Sequence, residues 1–239
     1  MLNGENISIG YNEKQIVFSS INFSATGGDM VALLGVNGIG KSTLLRTISG
    51  LQKKLDGKIE LDGKSIDALP APERAKLISV VLTEKIFIDN ITVKNFIALG
   101  RSPYSNWLGN LSATDMEEIE KVLFIMKIDK LQNRLFNQLS DGEKQKATIA
   151  RALCQQTPVM ILDEPTAFLD FRNKKEILDL LSSISTEMKK IIICSTHDIE
   201  SCLKYCNKFW IMSEEKKFIE INRDGNYRDE VMSNLFVES

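Results

Sequence analysis

Met30 to Leu34 is a continuously apolar stretch that runs straight into Gly35-Val36-Asn37-Gly38-Ile39-Gly40-Lys41-Ser42-Thr43. Apolarity without alternation marks a strand buried on both faces, the situation of a parallel sheet flanked by helices. The residues after it satisfy G-x-x-x-x-G-K-[ST] in the strand, loop and helix context that this motif requires. Glycines let such a loop fold tightly with its N–H groups turned inward, and the helix that follows brings its positive dipole end to the same point. The expectation is an anion nest for nucleotide phosphates made by Gly35, Asn37, Gly38, Gly40, Lys41, Ser42 and Thr43. Lys41 contributes a full positive charge. The Ser42 hydroxyl suits Mg²⁺, a hard cation that prefers oxygen donors and bridges terminal phosphates. A glycine-rich turn capping an ordinary helix is the plainer alternative.

Three further apolar runs, Ile78 to Leu82, Val159 to Leu162 and Ile191 to Cys194, predict more buried strands. The second ends in Asp163-Glu164-Pro165, which places two adjacent carboxylates at a C-terminal strand edge, where open α/β sheets bind ligands. Successive side chains of a strand point opposite ways, so Asp163 is expected to face Mg²⁺ and Glu164 the water that attacks the γ-phosphate. Upstream, Ile7 and Ile9, Ile16 to Phe18, and Ile21 and Phe23 show short β-type patterns, with Thr26 to Asp29 as a turn. From about Thr83 to Gln156 no strand is expected. There Met116, Ile119, Val122, Leu123 and Met126 recur at helical spacing, with Ser112 or Thr114 as the cap and Asp115 or Glu117 closing a capping box. The sheet resumes after this helical insertion. Ile177, Leu178, Leu181 and Ile184 form the buried face of a later helix, and Asp229 to Phe236 is expected to be a short closing helix.

Composition excludes several classes. The 239 residues are 43% hydrophobic and 26% charged, enough for a real core and unlike a disordered or fibrous chain. A formal net charge of −2 argues against a broad electrostatic grip on nucleic acid or an anionic membrane surface. No apolar run exceeds the five residues of Val122 to Met126, whereas a helix crossing a bilayer needs about 20. The start of the chain shows no secretory pattern, so the cytoplasm is the expected location. Cys154, Cys194, Cys202 and Cys206 are scattered, as suits reduced thiols, and a zinc site from Cys194, His197, Cys202 and Cys206 matches no common ligand spacing.

Leu139-Ser140-Asp141-Gly142-Glu143 precedes a run of good helix formers, Lys144 to Ala152, and reads as a helix start that Ser140 caps and Glu143 closes. Together with the loop at 35–43 and the Asp163-Glu164 pair, it resembles the ATP-binding cassette (ABC) ATPases, whose Leu-Ser-Gly-Gly-Gln signature stands in the same order. The resemblance implies an α/β fold: a P-loop (RecA-like), mainly parallel sheet core, an N-terminal antiparallel β subdomain and an inserted helical subdomain. All of 1–239 would be one domain, with 1–83 and 156–239 as the nucleotide-binding core and 84–155 as the helical part. It also implies a head-to-tail homodimer when ATP is bound, in which Ser140, Gly142 and Glu143 approach ATP held by another copy. By the same resemblance Tyr11 stacks on adenine, Asp170 in Ala167-Phe168-Leu169-Asp170 belongs to the loop that crosses the dimer interface, and His197, the single histidine, donates to the γ-phosphate. Glu164, His197 and Lys41 are thus the expected catalytic set. Two departures stand out. Thr83 occupies the position of a glutamine that touches Mg²⁺ and senses the membrane partner; its hydroxyl can still reach the ion, so Ser42, Asp163 and Thr83 are the expected metal ligands. Asp141 and Glu143 replace a glycine and a glutamine. Their carboxylates suit the helix dipole but repel a triphosphate, so both are expected to point away, leaving Ser140 and backbone N–H groups free.

With no membrane span, such a chain supplies ATP hydrolysis to something else, and the helical insertion is the natural docking surface. Ile91 to Tyr104 resembles the importers of ferric siderophores, haem and cobalamin. This implies a Mg-dependent ATPase on the cytoplasmic face of the inner membrane, working with two permease subunits and, indirectly, a substrate-binding protein. One rival is a non-transport ABC ATPase acting as an assembly or repair scaffold. The other is a P-loop GTPase or kinase, since Asn173-Lys174-Lys175-Glu176 resembles N-K-x-D with Glu in place of Asp.

Overall fold

The computed structural model describes residues 1–84, 86–105 and 110–235. Lys85 and residues 106–109, which fall in the expected helical insertion, and Phe236, at the end of the expected closing helix, lie outside the described residues.

The chain opens with a hairpin of β1 (Leu2–Gly10) and β2 (Ile16–Ala25), followed by β3 (Met30–Leu34) and α1 (Lys41–Ile48). β2 is one strand where the alternation suggested two. Its register against β1 shifts between Ile7↔Ile21 and Ile9↔Phe18, and Ser20 sits at φ 54, so a bulge interrupts the pattern without ending the strand. β4 (Asp56–Leu61) and β5 (Lys64–Ser65) complete a four-stranded antiparallel sheet in the order β2-β1-β4-β5. After the short α2 (Ala71–Arg74) comes β6 (Ile78–Val81). The described residues between there and β7 (Val159–Asp163) hold no strand; their α-helices are α3 (Val93–Ala98), α4 (Ala113–Ile125) and α5 (Asp141–Cys154). Then follow α6 (Phe171–Met188), β8 (Ile191–Ser195), α7 (Ile199–Tyr205), β9 (Lys208–Met212), β10 (Phe218–Asn222) and α8 (Tyr227–Leu235).

The second sheet runs β10-β9-β3-β8-β7-β6, parallel throughout except for the antiparallel edge strand β10. β3 explains the unbroken apolarity. Met30, Ala32 and Leu34 enter one core with α3, α4, α5 and α6, while Val31 and Leu33 enter another with α1 and the antiparallel sheet. The α4 stripe is buried from Ile119 to Met126, with Met116 half-buried against the same core, and Ser112 is its cap, with Asp115 closing the box. The sheet is therefore clamped between the antiparallel layer and the helical segment, and its C-terminal edges are left to carry the site.

Candidate functional site

The loop from Gly35 to Gly40 leaves β3 at its C-terminal edge and hands over to α1 at Lys41. Gly40 has φ 121, and a Cβ there would meet the Val17 side chain at 2.6 Å, so glycine alone fits where the β1–β2 hairpin presses on the loop. The same hairpin presents Tyr11 at its exposed tip, 72% accessible. Lys41 is buried; its Nζ donates to the Gly35 carbonyl at 2.8 Å and the Val36 carbonyl at 3.1 Å. Burial pushes its pKa below the ordinary lysine value, opposed by the negative charges of Glu164 and Asp163. Asn37, Gly38 and Ser42 are exposed around it and Thr43 is half-buried.

The carboxylates stand where β7 ends. β7 and β8 pair in register so that Asp163 lies opposite Ser195. The Ser195 hydroxyl donates to Asp163 Oδ1, and Ser195 Oγ in turn accepts the Glu164 N–H at 2.9 Å. Asp163 is buried, whereas Glu164, with φ 50, turns its side chain out of the strand; its N–H is also bonded to the Ser195 carbonyl at 3.2 Å, which holds this uncommon left-handed backbone. His197 follows β8, exposed, with Nδ1 3.4 Å from Glu164 Oε2. Thr83, just past β6, donates from Oγ1 to the Asp163 carbonyl at 3.1 Å. Three adjacent strand edges thus bring Thr83, Asp163, Glu164 and His197 together. Ser195 is the member that sequence reasoning missed. Its only signal is its place at the end of an apolar run, two residues before the histidine.

Thr83, Asp163 and Glu164 also line a cleft of about 480 Å³ together with Phe87, Asp141, Lys144 and Phe168, so the strand edges and the flank of α5 face each other within one chain. Ser140 is not part of that lining. It caps α5 as expected, and Asp141 is exposed on the cleft lining, but the expectation that the carboxylates leave Ser140 free fails at Glu143. Glu143 turns inward: its Oε2 accepts from Ser140 N–H and Ser140 Oγ, each at 2.9 Å, because an N3 carboxylate at a helix start reaches the cap before it reaches solvent. These bonds, the backbone one foremost, hold its carboxyl below the ordinary glutamate pKa. Gly142 is buried behind it. Asp170 caps α6 by accepting from Asn173 N–H at 2.8 Å and from its side-chain amide at 2.9 Å. That bond commits Asn173 to the helix start and leaves N-K-x-D without a base to read. Cys194, Cys202 and Cys206 are buried, and among the described residues no group of three or more His, Cys, Asp or Glu converges as a metal-ligand set.

The ABC transporter family profile matches residues 18–167. The petrobactin import ATP-binding protein FpuC of Bacillus anthracis is 35% identical over 205 residues, covering 86% of this chain and 75% of that protein. The ferric enterobactin transport ATP-binding protein FepC of Escherichia coli (strain K12) is 33% identical over 215 residues, covering 90% and 79%. Among solved structures, a dimeric ATP-binding cassette in a post-hydrolysis state bound to ADP and Pi superposes with a TM-score of 0.78 at 25% identity, covering 94% of this chain and all of that one. A glycine-rich loop between β3 and α1, a carboxylate pair at the end of β7 and a capped helix at α5 are thus joined by likeness across nearly the whole length: the chain belongs to the ABC transporter family and is an ATP-binding, ATP-hydrolysing subunit.

Proposed function

We propose that this subunit powers the import of an iron–siderophore type of metal chelate, two copies closing on two ATP molecules while docked on two membrane permeases at the cytoplasmic face of the membrane. The observation that carries the hydrolytic part is the pairing of β7 with β8, which brings Asp163, Ser195, Glu164 and His197 together on one edge, with the charges of Asp163 and Glu164 favouring the Lys41 ammonium. Ser42, Asp163 and Thr83 offer hard oxygen donors of the kind Mg²⁺ takes, and the bound ion would screen the charge of the transferring phosphoryl group. Lys41, released from the Gly35 and Val36 carbonyls, turns to the β- and γ-phosphates. Glu164 accepts a proton from the attacking water, and His197, against its carboxylate, fixes its orientation and donates toward the γ-phosphate. Tyr11 stacks on adenine at the hairpin tip, and Asp170 holds the loop that meets the second copy. The cargo class rests on the siderophores named for FpuC and FepC and on the matching segment Ile91 to Tyr104. Choice among chelates belongs to the permease and to the binding protein that delivers cargo.

Glu164→Gln tests the chemistry. It removes the base but keeps the shape, so turnover should fall by about 100-fold or more while ATP is retained and the closed dimer accumulates. A normal hydrolysis rate in that variant would remove Glu164 from its role. Vesicles carrying the chain with its permeases should take up a radiolabelled ferric siderophore only with ATP; uptake of another cargo class alone would refute the assignment.

A further inference from the structure

The first turn of α5 holds an internal anion at the place a second copy's phosphate has to reach. Ser140 offers two donors there, its N–H and its hydroxyl, and both are committed at 2.9 Å to a single oxygen of Glu143. The other carboxylate oxygen lies 3.8 Å from Arg134 Nη1, and Arg134 is anchored by Nη2 on the Gln138 carbonyl at 3.0 Å. The backbone has little room to yield, because a Cβ at Gly142 would meet Asn173 at 2.7 Å, so the start of α5 is pressed against the start of α6. The side chain of Glu143 is therefore the part that can move, and it has a waiting partner on one side. Two anions cannot share the same pair of donors: the phosphate and the carboxylate repel, and each needs the hydrogen that the other holds.

We propose that Glu143 is a positioning residue that gates Ser140, occupying its N–H and hydroxyl in the single copy and swinging to Arg134 when the triphosphate of a second copy takes them. The inference rests on the two-copy reading of the site given above. It makes closure dependent on displacing an internal competitor, so a single copy with bound ATP does not close on a partner until that competition is won.

The ATP concentration that half-dimerises the protein, measured by sedimentation velocity in the Glu164→Gln background, reads the gate. Glu143→Gln keeps the capping box but replaces a charge-assisted bond by a neutral one, and should lower that concentration by about tenfold. Arg134→Ala removes the waiting partner and should raise it, and this effect should vanish when Glu143→Gln is also present. Binding of a fluorescent ATP analogue to the single copy should not change in any of these variants. If Glu143→Gln, with an unchanged melting temperature, dimerises at the same or a higher ATP concentration, or if the Arg134 effect persists in the double variant, the gate is wrong. Ser140→Ala separates the two levels. Dimerisation at the unaltered ATP concentration would sink the two-copy site itself, whereas loss of dimerisation there without a gain in Glu143→Gln overturns the gate alone.

Discussion

Lys41 carries its charge in a setting that penalises it. Burial favours the neutral amine, and the ammonium is kept by two loop carbonyls and by the field of Asp163 and Glu164. In the proposed role a triphosphate repays that cost with stronger, charge-assisted bonds. Lys41→Ala should therefore weaken nucleotide binding by about 100-fold, the size expected for losing two such bonds, as measured by fluorescence titration. Equal affinity would show that the loop holds something else. Ser195 is a second case. It ties the Asp163 carboxylate to the Glu164 N–H, so Ser195→Ala should lower kcat by about tenfold with KM for ATP little changed, because the misplaced groups act on the transition state. A change confined to KM would instead mark Ser195 as part of ATP binding.

At the level of elements, the helical segment is knitted by Arg101. Its Nε bonds Asp115 at 2.7 Å, and its Nη1 bonds the Cys154 carbonyl at 2.9 Å and the Gln156 side chain at 2.7 Å, joining the start of α4 to the end of α5. Just before it, Gly100 lies so close to α5 that a Cβ would stand 2.2 Å from the Arg151 carbonyl. The segment whose letters resemble metal-chelate importers is thus also a packing joint. Arg101→Ala leaves the buried Asp115 carboxylate without its cation and should cost about 3–5 kcal/mol in urea unfolding. Bonds from Ser112 and Arg101 hold the Asp115 carboxyl at a pKa of about 2, below the ordinary 3.8. A lowered native pKa stabilises the folded state above the unfolded value and loses that contribution as pH falls through the native one. About 2 kcal/mol should therefore disappear between roughly pH 4 and pH 2, and Asp115→Asn should flatten that slope. The helices of this segment were legible because spacing and capping letters agree within a few residues. β9 was not, because its buried run begins with Lys208, whose ammonium is matched by Glu220 of β10 and by Asp29 of the turn before β3, and β10 opens on a half-buried edge.

At the scale of the whole molecule, the proposed sharing of the site by two copies makes a prediction that no single-copy site can. A protomer with Lys41→Ala keeps its signature serine, and one with Ser140→Ala keeps its phosphate loop. Each alone should be inactive, yet an equimolar mixture should recover measurable ATP hydrolysis, because the mixed dimer assembles one complete site. Failure of the mixture, with heterodimers demonstrated by crosslinking, would place both residues in the same copy's chemistry. The phosphate loop, the carboxylate pair and the capped signature helix were all readable in the sequence, since each is a motif of fewer than ten consecutive residues on a strand or helix end. Their grouping was carried by likeness to a family, not by the letters.

What the sequence determined by itself was local: the apolar strands, the glycine loop before α1, the Ser140–Glu143 box, and Asp163 and Glu164 at a strand end. Tertiary structure decided what those pieces face. Ser195 reaches Asp163, Thr83 bonds the Asp163 carbonyl and His197 meets Glu164 only because β6, β7 and β8 lie side by side in register, though β6 and β7 are separated in the chain by the whole helical segment. A hydrogen bond between neighbours three residues apart is written in their spacing. One between distant strand ends depends on sheet order, and an unbroken apolar run looks the same at every position in a sheet.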